Sequence, residues 1–447
     1  MPKSITLYER NADERKCLII CIHLRFHIAL VSANEIRMVE PTPSSFSSRK
    51  EYSSPLDVFL AFLRLGLTSF GGPVAHLGYF RAEFVERRKW LDEGAYGDLV
   101  ALCQFLPGPA SSQVGVSLGI MRAGIAGGLA AWCGFTAPSA LAMILFAYGI
   151  GRFGDLAHAG WVHGLKIVAV AVVAQAVWGM GRALCPDRPR ISLAVAAALV
   201  VTWAPTPAGQ IVAILLGALV GWALIVQQPL PARADLGFAA LGSRFGVAAL
   251  AAFFVLLIGL PLLATITHSH ALDLFARFYR SGSLVFGGGH VVLPLLQRSV
   301  VPPGWISNDL FLAGYGAAQA VPGPLFTFSA YLGAAMAPRP HGWAGGLLCL
   351  ASIYLPSFLL LIGVLPFWDR LRSVASVRRV MCGVNAAVVG LLLAALYTPV
   401  WTSAIRSQAD FGIALVALVL LAVWRVPPWL VVVCGAAAAQ ALAAVAP

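Results

Sequence analysis

The chain has 447 residues, of which 59% are hydrophobic and only 11% charged, with a formal net charge of +12. Soluble domains carry about 25% charged residues, so a water-soluble globular fold is excluded, and many apolar runs of about 20 residues point to a polytopic α-helical membrane protein. The positive balance does not mark a nucleic-acid binder, because the basic residues fall mainly in short loops between apolar runs, where they report topology.

Residues 1–54 stand apart from the rest. Their one apolar run is interrupted by His23, Arg25 and His27 and lacks a small-residue cleavage site, so it reads as neither a span nor a signal peptide. It is either a disordered extension or a product of start-site choice, with Met38 as the alternative initiator. About thirteen candidate spans follow, near 56–80, 95–120, 125–150, 162–182, 190–204, 209–227, 245–266, 272–297, 309–334, 342–366, 380–400, 410–424 and 428–445. The segments at 190–204, 410–424 and 428–445 are short or rich in small residues. The eight cysteines are scattered and form no zinc or redox pattern, so neither a metal nor another cofactor is expected.

The chain repeats itself at a shift of about 216 residues. Arg64 falls on Arg280, Gly66 on Gly282, and "FGGP" at 70–73 on "FGGG" at 286–289. With small gaps, Trp90 meets Trp305, Gln104 meets Gln319, and "PGP" at 107–109 meets "PGP" at 322–324. Leu118 and Gly119 meet Leu332 and Gly333, Gly127 and Gly128 meet Gly345 and Gly346, and Pro138 meets Pro356. Two homologous six-span units are expected at 55–228 and 271–447, separated by a linker at 229–270 with one extra span. An odd span between the units inverts the second. Loop charge agrees, with the N-terminus inside and the C-terminus outside. One loop dissents: "RAEFVERRKW" at 81–90 is basic yet falls outside. Either Glu83 and Glu86 pair with its cations at helical spacing, or the first two spans turn back at their breaks.

Those breaks lie at the FGG and PGP motifs, where helix cannot continue. Pro107, Pro109, Pro322 and Pro324 remove backbone donors, and Gly108, Gly323, Gly71, Gly72, Gly287 and Gly288 relax the backbone. Lipid cannot satisfy the freed groups, so they must face protein or a wet cavity. Paired breaks in inverted halves are the sequence sign of a transporter substrate site. The helix restarting after a break points free N–H groups at the cavity, which suits an anion. Ser111, Ser112 and Gln113 follow the first PGP; Thr327 and Ser329 follow the second.

Arg64 and Arg280 sit about two turns before the FGG breaks. A cavity-facing guanidinium would match a tetrahedral oxyanion with two donors; the alternative is snorkelling to the interface. Gln104 and Gln319 either orient the broken backbone or touch substrate. His76 and His290 are candidates to carry a coupling proton, against the commoner structural histidine. No catalytic constellation, phosphate loop or nucleotide site is present in the sequence, so no enzyme is expected and the energy source is a gradient or the membrane potential.

"SFGGPVAHLGYFRAEFVERRKWL", "CQFLPGPASSQVGVSLG", "FGGGHVVLPLL" and "AQAVPGPLFTFSAYLGA" resemble the chromate ion transporter family, in its long two-domain form, over nearly everything from about residue 55 onward. The resemblance implies a multi-pass protein of the bacterial inner membrane that exports chromate and confers resistance, driven by the proton motive force, with sulfate as a competing dianion. A homodimer is compatible with this reading. The chain departs from the family pattern at Ala110 and Ser112, where many relatives carry a glutamate and a glutamine, and keeps Gln113. If the two arginines clamp the oxyanion, Arg64→Gln or Arg280→Gln abolishes chromate resistance in cells while the protein still inserts; full resistance in both variants would remove the clamp.

Overall fold

A computed structural model describes residues 54–152, 159–225 and 242–445. The expectations for the N-terminal extension and for most of the linker lie outside the described residues.

Every regular element among the described residues is helical. In the first half, α1 is Pro55–Thr68, α2 Gly72–Phe80 with a wider π-type turn continuing it over Arg81–Arg87, and α3 Glu93–Phe105. Helix α4, Ala110–Arg152, has two limbs that kink at Ala123 and Gly124. Then come α5 (Gly160–Leu184), α6 (Arg188–Trp203) and α7 (Pro207–Leu224). Helix α8, Ser243–Thr267, stands between the halves. The second half holds α9 (His270–Ser283), α10 (Val292–Val300), α11 (Asn308–Ala318), α12 (Phe328–Ala335) and α13 (Gly342–Val364). After the short α14 (Trp368–Ser373) it ends with α15 (Ala375–Ala395), α16 (Gln408–Ala422) and α17 (Pro428–Val445). The order repeats: α1 to α3 correspond to α9 to α11, the limbs of α4 to α12 and α13, and α5 to α7 to α15 to α17.

Local chemistry sets the ends of these helices. The Ser54 hydroxyl accepts from the Asp57 N–H while the Asp57 carboxylate accepts from the Ser54 N–H, with Pro55 at the first helical position. Asp92, Thr206, Ser307 and Ser407 cap α3, α7, α11 and α16 in the same way, each accepting an N–H with its side chain.

Four of the candidate spans are not single helices. The segments 56–80, 95–120, 272–297 and 309–334 each break at the FGG or PGP motif and fold back. Phe62 in α1 packs on Phe80 and Phe84 beyond the first break, with ring centroids 5.5 and 4.8 Å apart. Around the second break, the Arg122 guanidinium lies 5.1 Å from the Trp90 ring, joining the two open ends of the hairpin. Ser281 and Ser299 approach to 3.4 Å across the third. Across the fourth, the Tyr331 hydroxyl donates to the Leu310 carbonyl at 2.9 Å. A 14-residue helix such as α1 is about 21 Å long, short of the ~30 Å hydrocarbon core. Among the described residues, five helices are long and apolar enough to cross a membrane: Ala110–Ile150, Gly160–Leu184, Ser243–Thr267, Gly342–Phe367 and Ala375–Ala404.

Both features expected of the dissenting loop are present, the acidic pairing and the fold-back. Glu83 accepts from Arg87 and from Arg88 at 2.6 Å each, and Arg81 bridges Glu93 at 2.7 Å and also pairs with Glu86. The hydrogen bond from Arg81 holds the Glu93 carboxyl below its usual range. Folding back also returns this loop to the start of α1, where Arg88 acts on the charge of Asp57.

Glycines set the tightest packing. A Cβ on Gly66 would lie 2.7 Å from the Gly134 carbonyl oxygen, and one on Gly282 would lie 2.2 Å from that of Ile353. The hairpin from α12 to α13 closes on Gly333 and Gly345, each 2.2 Å from the other's carbonyl oxygen when a Cβ is added; Gly119 and Gly127 repeat the contact in α4 at 2.3 Å. Small residues at such contacts let helix backbones approach where lipid supplies no hydrophobic drive. Gly333→Ala and Gly119→Ala therefore destabilise the detergent-solubilised protein by about 1–3 kcal/mol, read as an earlier thermal aggregation midpoint. Gly97→Ala, which has open space around it, leaves the midpoint unchanged or raises it slightly.

Candidate functional site

The four hairpin tips meet, and they meet crosswise. The Gly108 N–H, in the first PGP turn, donates to the Val285 carbonyl, just before the second FGG, at 2.7 Å. The Gly323 N–H, in the second PGP turn, donates to the Ser69 carbonyl, just before the first FGG, at 2.9 Å. Each half's PGP turn is thus satisfied by the other half's FGG turn.

The turns need glycine. Gly71, Gly72, Gly108, Gly287, Gly288 and Gly323 all have φ between +75° and +142°, which side-chain-bearing residues rarely adopt. Space is also limiting at the PGP glycines. A Cβ on Gly108 would lie 2.4 Å from the Ser357 Cβ, and one on Gly323 2.8 Å from the Ser139 Oγ. Both serines follow the repeated Pro138 and Pro356, and each covers the glycine of the other half. The Gln113 side-chain amide donates to the Pro107 carbonyl at 2.9 Å and staples the first turn.

Buried polar groups gather at the first-half tips. The His76 Nδ1 lies 3.4 Å from the Ser111 hydroxyl, and its ring meets Phe135 edge-on at 5.2 Å. The Tyr354 hydroxyl, from the second half, faces the hydroxyls of Ser112 and Thr136. Ser69, His76, Ser112, Thr136 and Tyr354 are all buried, yet Ser69 Oγ, His76 Nε2, Ser112 Oγ, Thr136 Oγ1 and Tyr354 OH make no hydrogen bond of 3.5 Å or less. Buried polar groups are ordinarily paired, so these five atoms mark a place built for something polar.

The equivalent tip of the second half leaves fewer polar atoms open: Gln319 Nε2 has no close partner, but the hydroxyls are used locally. Thr327 Oγ1 donates to the Pro324 carbonyl at 2.9 Å and Ser329 Oγ to the Phe326 carbonyl at 2.7 Å. Phe326 and Phe328 occupy the positions of Ser111 and Gln113 and are buried. His290 approaches the Tyr315 hydroxyl at 2.8 Å, and Tyr315 in turn lies beside Gln319.

The expected site residues therefore divide. Gly108, Pro109, Ser111, Gln113 and His76 are buried together at the first tips; Pro107, Gly72, Gly287, Gly288, Pro322 and Gly323 are half-buried beside them, and Pro324 and Thr327 are buried in the second PGP turn. Gly71 is exposed. Arg64 and Gln104 are also exposed, and Arg280 is half-buried near Arg277 and Asp273. Neither Arg64 nor Arg280 hydrogen-bonds to the buried polar groups. Sequence reasoning missed Ser69, Thr136, Ser139, Tyr354 and Ser357. The available signal was the repeat itself, since Thr136 and Tyr354 stand two residues before the matched prolines.

A second polar cluster joins the halves at another level. Lys166 in α5, with a side chain only 3% exposed, pairs with Asp309 at the start of α11 at 3.0 Å. One turn before it, His163 meets Asp410 at 3.0 Å, whose other oxygen accepts the N–H groups of Arg406 and Ser407.

Apolar helices around tip-to-tip broken hairpins define a membrane transporter by build. The chromate transporter family matches the chain twice, at residues 56–222 and 272–440, and the chain belongs to this family. It is 29% identical over 346 residues to a chromate transport protein of Pseudomonas aeruginosa, covering 75% of this chain and 78% of the relative. It is 26% identical over 379 residues to a chromate transport protein of Cupriavidus metallidurans, covering 81% and 85%. No solved structure matches the chain.

Proposed function

We propose that the protein is a secondary transporter that exports chromate across the bacterial inner membrane and so confers chromate resistance. The observation that carries this reading is the cluster of unpartnered, buried hydroxyl and imidazole groups at the crosswise-docked tips, in a chain of the chromate transporter family. A tetrahedral dianion needs several donors at once, and a transporter needs them where two halves can move against each other.

The membrane arrangement follows from the hairpins. In this reading four re-entrant hairpins combine with nine crossings, the five long apolar helices and the shorter α6, α7, α16 and α17, which places the N-terminus inside and inverts the second half. The base of the first hairpin, with Arg81, Arg87, Arg88 and Lys89, then lies on the positive inner side, while the corresponding stretch 298–307 has Arg298 alone and lies outside. Export also runs with the membrane potential. A dianion leaving a negative interior gains roughly 4–5 kcal/mol at about 100 mV, so the potential alone can drive it, with or without a coupled proton.

Labelled chromate is expected to enter everted membrane vesicles carrying the protein when the membrane is energised, with excess sulfate slowing it. Loss of uptake with a proton ionophore while the electrical potential is held would assign proton coupling; retained uptake would assign the potential. If sulfate enters and chromate does not, the protein is a sulfate carrier of the same build. For the membrane arrangement, Lys89→Cys is expected to react with an impermeant maleimide only from the cytoplasmic side, and Arg339→Cys only from the opposite side. Labelling of both from one side would overturn the inversion.

A further inference from the structure

We propose that the oxyanion is bound without any charged side chain, in a single pocket formed by the hydroxyls of Ser112, Thr136 and Tyr354 against the first turn of the helix that restarts at Ala110. This deepens the transport reading above and rests on it.

Three observations converge. First, the three hydroxyls come from three different elements: Ser112 from the first limb of α4, Thr136 from the second limb, and Tyr354 from α13 of the other half. They face one another, they are 1–3% exposed, and none makes a hydrogen bond of 3.5 Å or less. Second, the first bond of the restarting helix runs from the Gln113 N–H to the Pro109 carbonyl. The N–H groups of Ala110, Ser111 and Ser112 therefore precede the helical ladder and carry the positive end of its dipole. Third, the duplicated tip cannot do the same, because Thr327 and Ser329 spend their hydroxyls on their own turn and phenylalanines replace Ser111 and Gln113.

The chemistry suits a passing dianion. Hydroxyls rotate, so each can aim its proton at whichever oxygen is nearest. Neutral donors and a helix end stabilise the charge without the strong pairing of a guanidinium, and conduction requires binding weak enough to reverse. The ring of Tyr354 is held by Trp132, Phe326 and Phe358, with centroids 5.5, 5.6 and 5.7 Å away, so its hydroxyl is fixed in place. Because Tyr354 belongs to the second half and Ser112 to the first, a movement of one half against the other opens the pocket.

The test is the concentration dependence of chromate uptake into everted vesicles. Tyr354→Phe, Thr136→Val and Ser112→Ala each remove one hydroxyl and keep the shape. Each is expected to raise KM about tenfold or more, as for a hydrogen bond to a charged group, at protein levels matching the parent. Thr327→Val and Ser329→Ala are expected to leave KM within about twofold. Parent-like KM in Tyr354→Phe and Thr136→Val, with the parent transporting normally, would overturn the pocket and leave the transport reading standing. If the parent moves neither chromate nor sulfate, the transport reading falls. Thermal stabilisation of the purified protein by millimolar chromate or sulfate then decides the pocket: stabilisation lost in Tyr354→Phe supports it, and stabilisation unchanged or absent from the parent overturns it.

Discussion

Two backbone hydrogen bonds hold the centre of this protein together: Gly108 N–H to the Val285 carbonyl and Gly323 N–H to the Ser69 carbonyl. In hydrocarbon an unpaired peptide group costs several kcal/mol, so a chain that breaks four helices at depth must answer each break. Here the glycine N–H of each PGP turn is satisfied by the other half. The Ser139 and Ser357 contacts over the opposite half's glycine enforce the same exchange sterically. The two halves are thereby obliged to fold against each other, and their tips are brought to one place.

Duplication with divergence then separates the two tips chemically. The second has filled its space with Phe326 and Phe328 and closed its hydroxyls on local carbonyls. The first keeps Ser69, His76, Ser112 and Thr136 buried and unpartnered, with Tyr354 reaching across from the other half. A protein that is symmetric in backbone is asymmetric in the polarity of its tips.

Charges sit where they pin the hairpins. The Glu83 pairs with Arg87 and Arg88, the Arg81 pair with Glu93 and the Arg277 guanidinium 4.6 Å from the Trp305 ring all lie at hairpin bases. Lys166 and His163 carry the same logic between halves by reaching Asp309 and Asp410. A lysine at 3% exposure is tolerable only because a carboxylate meets it; that contact ties α5 to α11, and the His163–Asp410 contact ties it to α16.

The membrane class, the duplication and the positions of the breaks were legible in the sequence, because apolar length, repeated glycine and proline, and missing backbone donors are local properties of the chain. Ser111, Gln113, His76 and the PGP turns, singled out from the sequence, lie together at the meeting point of the hairpin tips. Folding back of the broken segments was visible only as a misplaced basic loop, since a break does not state whether the chain continues or reverses; Phe62 against Phe84 decides it. The emphasis on Arg64 followed from its place in an apolar run, but the face a helix turns outward is set by its neighbours, and α1 turns Leu65 and Gly66 inward and Arg64 outward. The cross-half contacts of Gly108, Gly323 and Tyr354 belonged to the tertiary structure alone, because they join residues about 180 to 250 positions apart whose meeting depends on how every intervening helix packs.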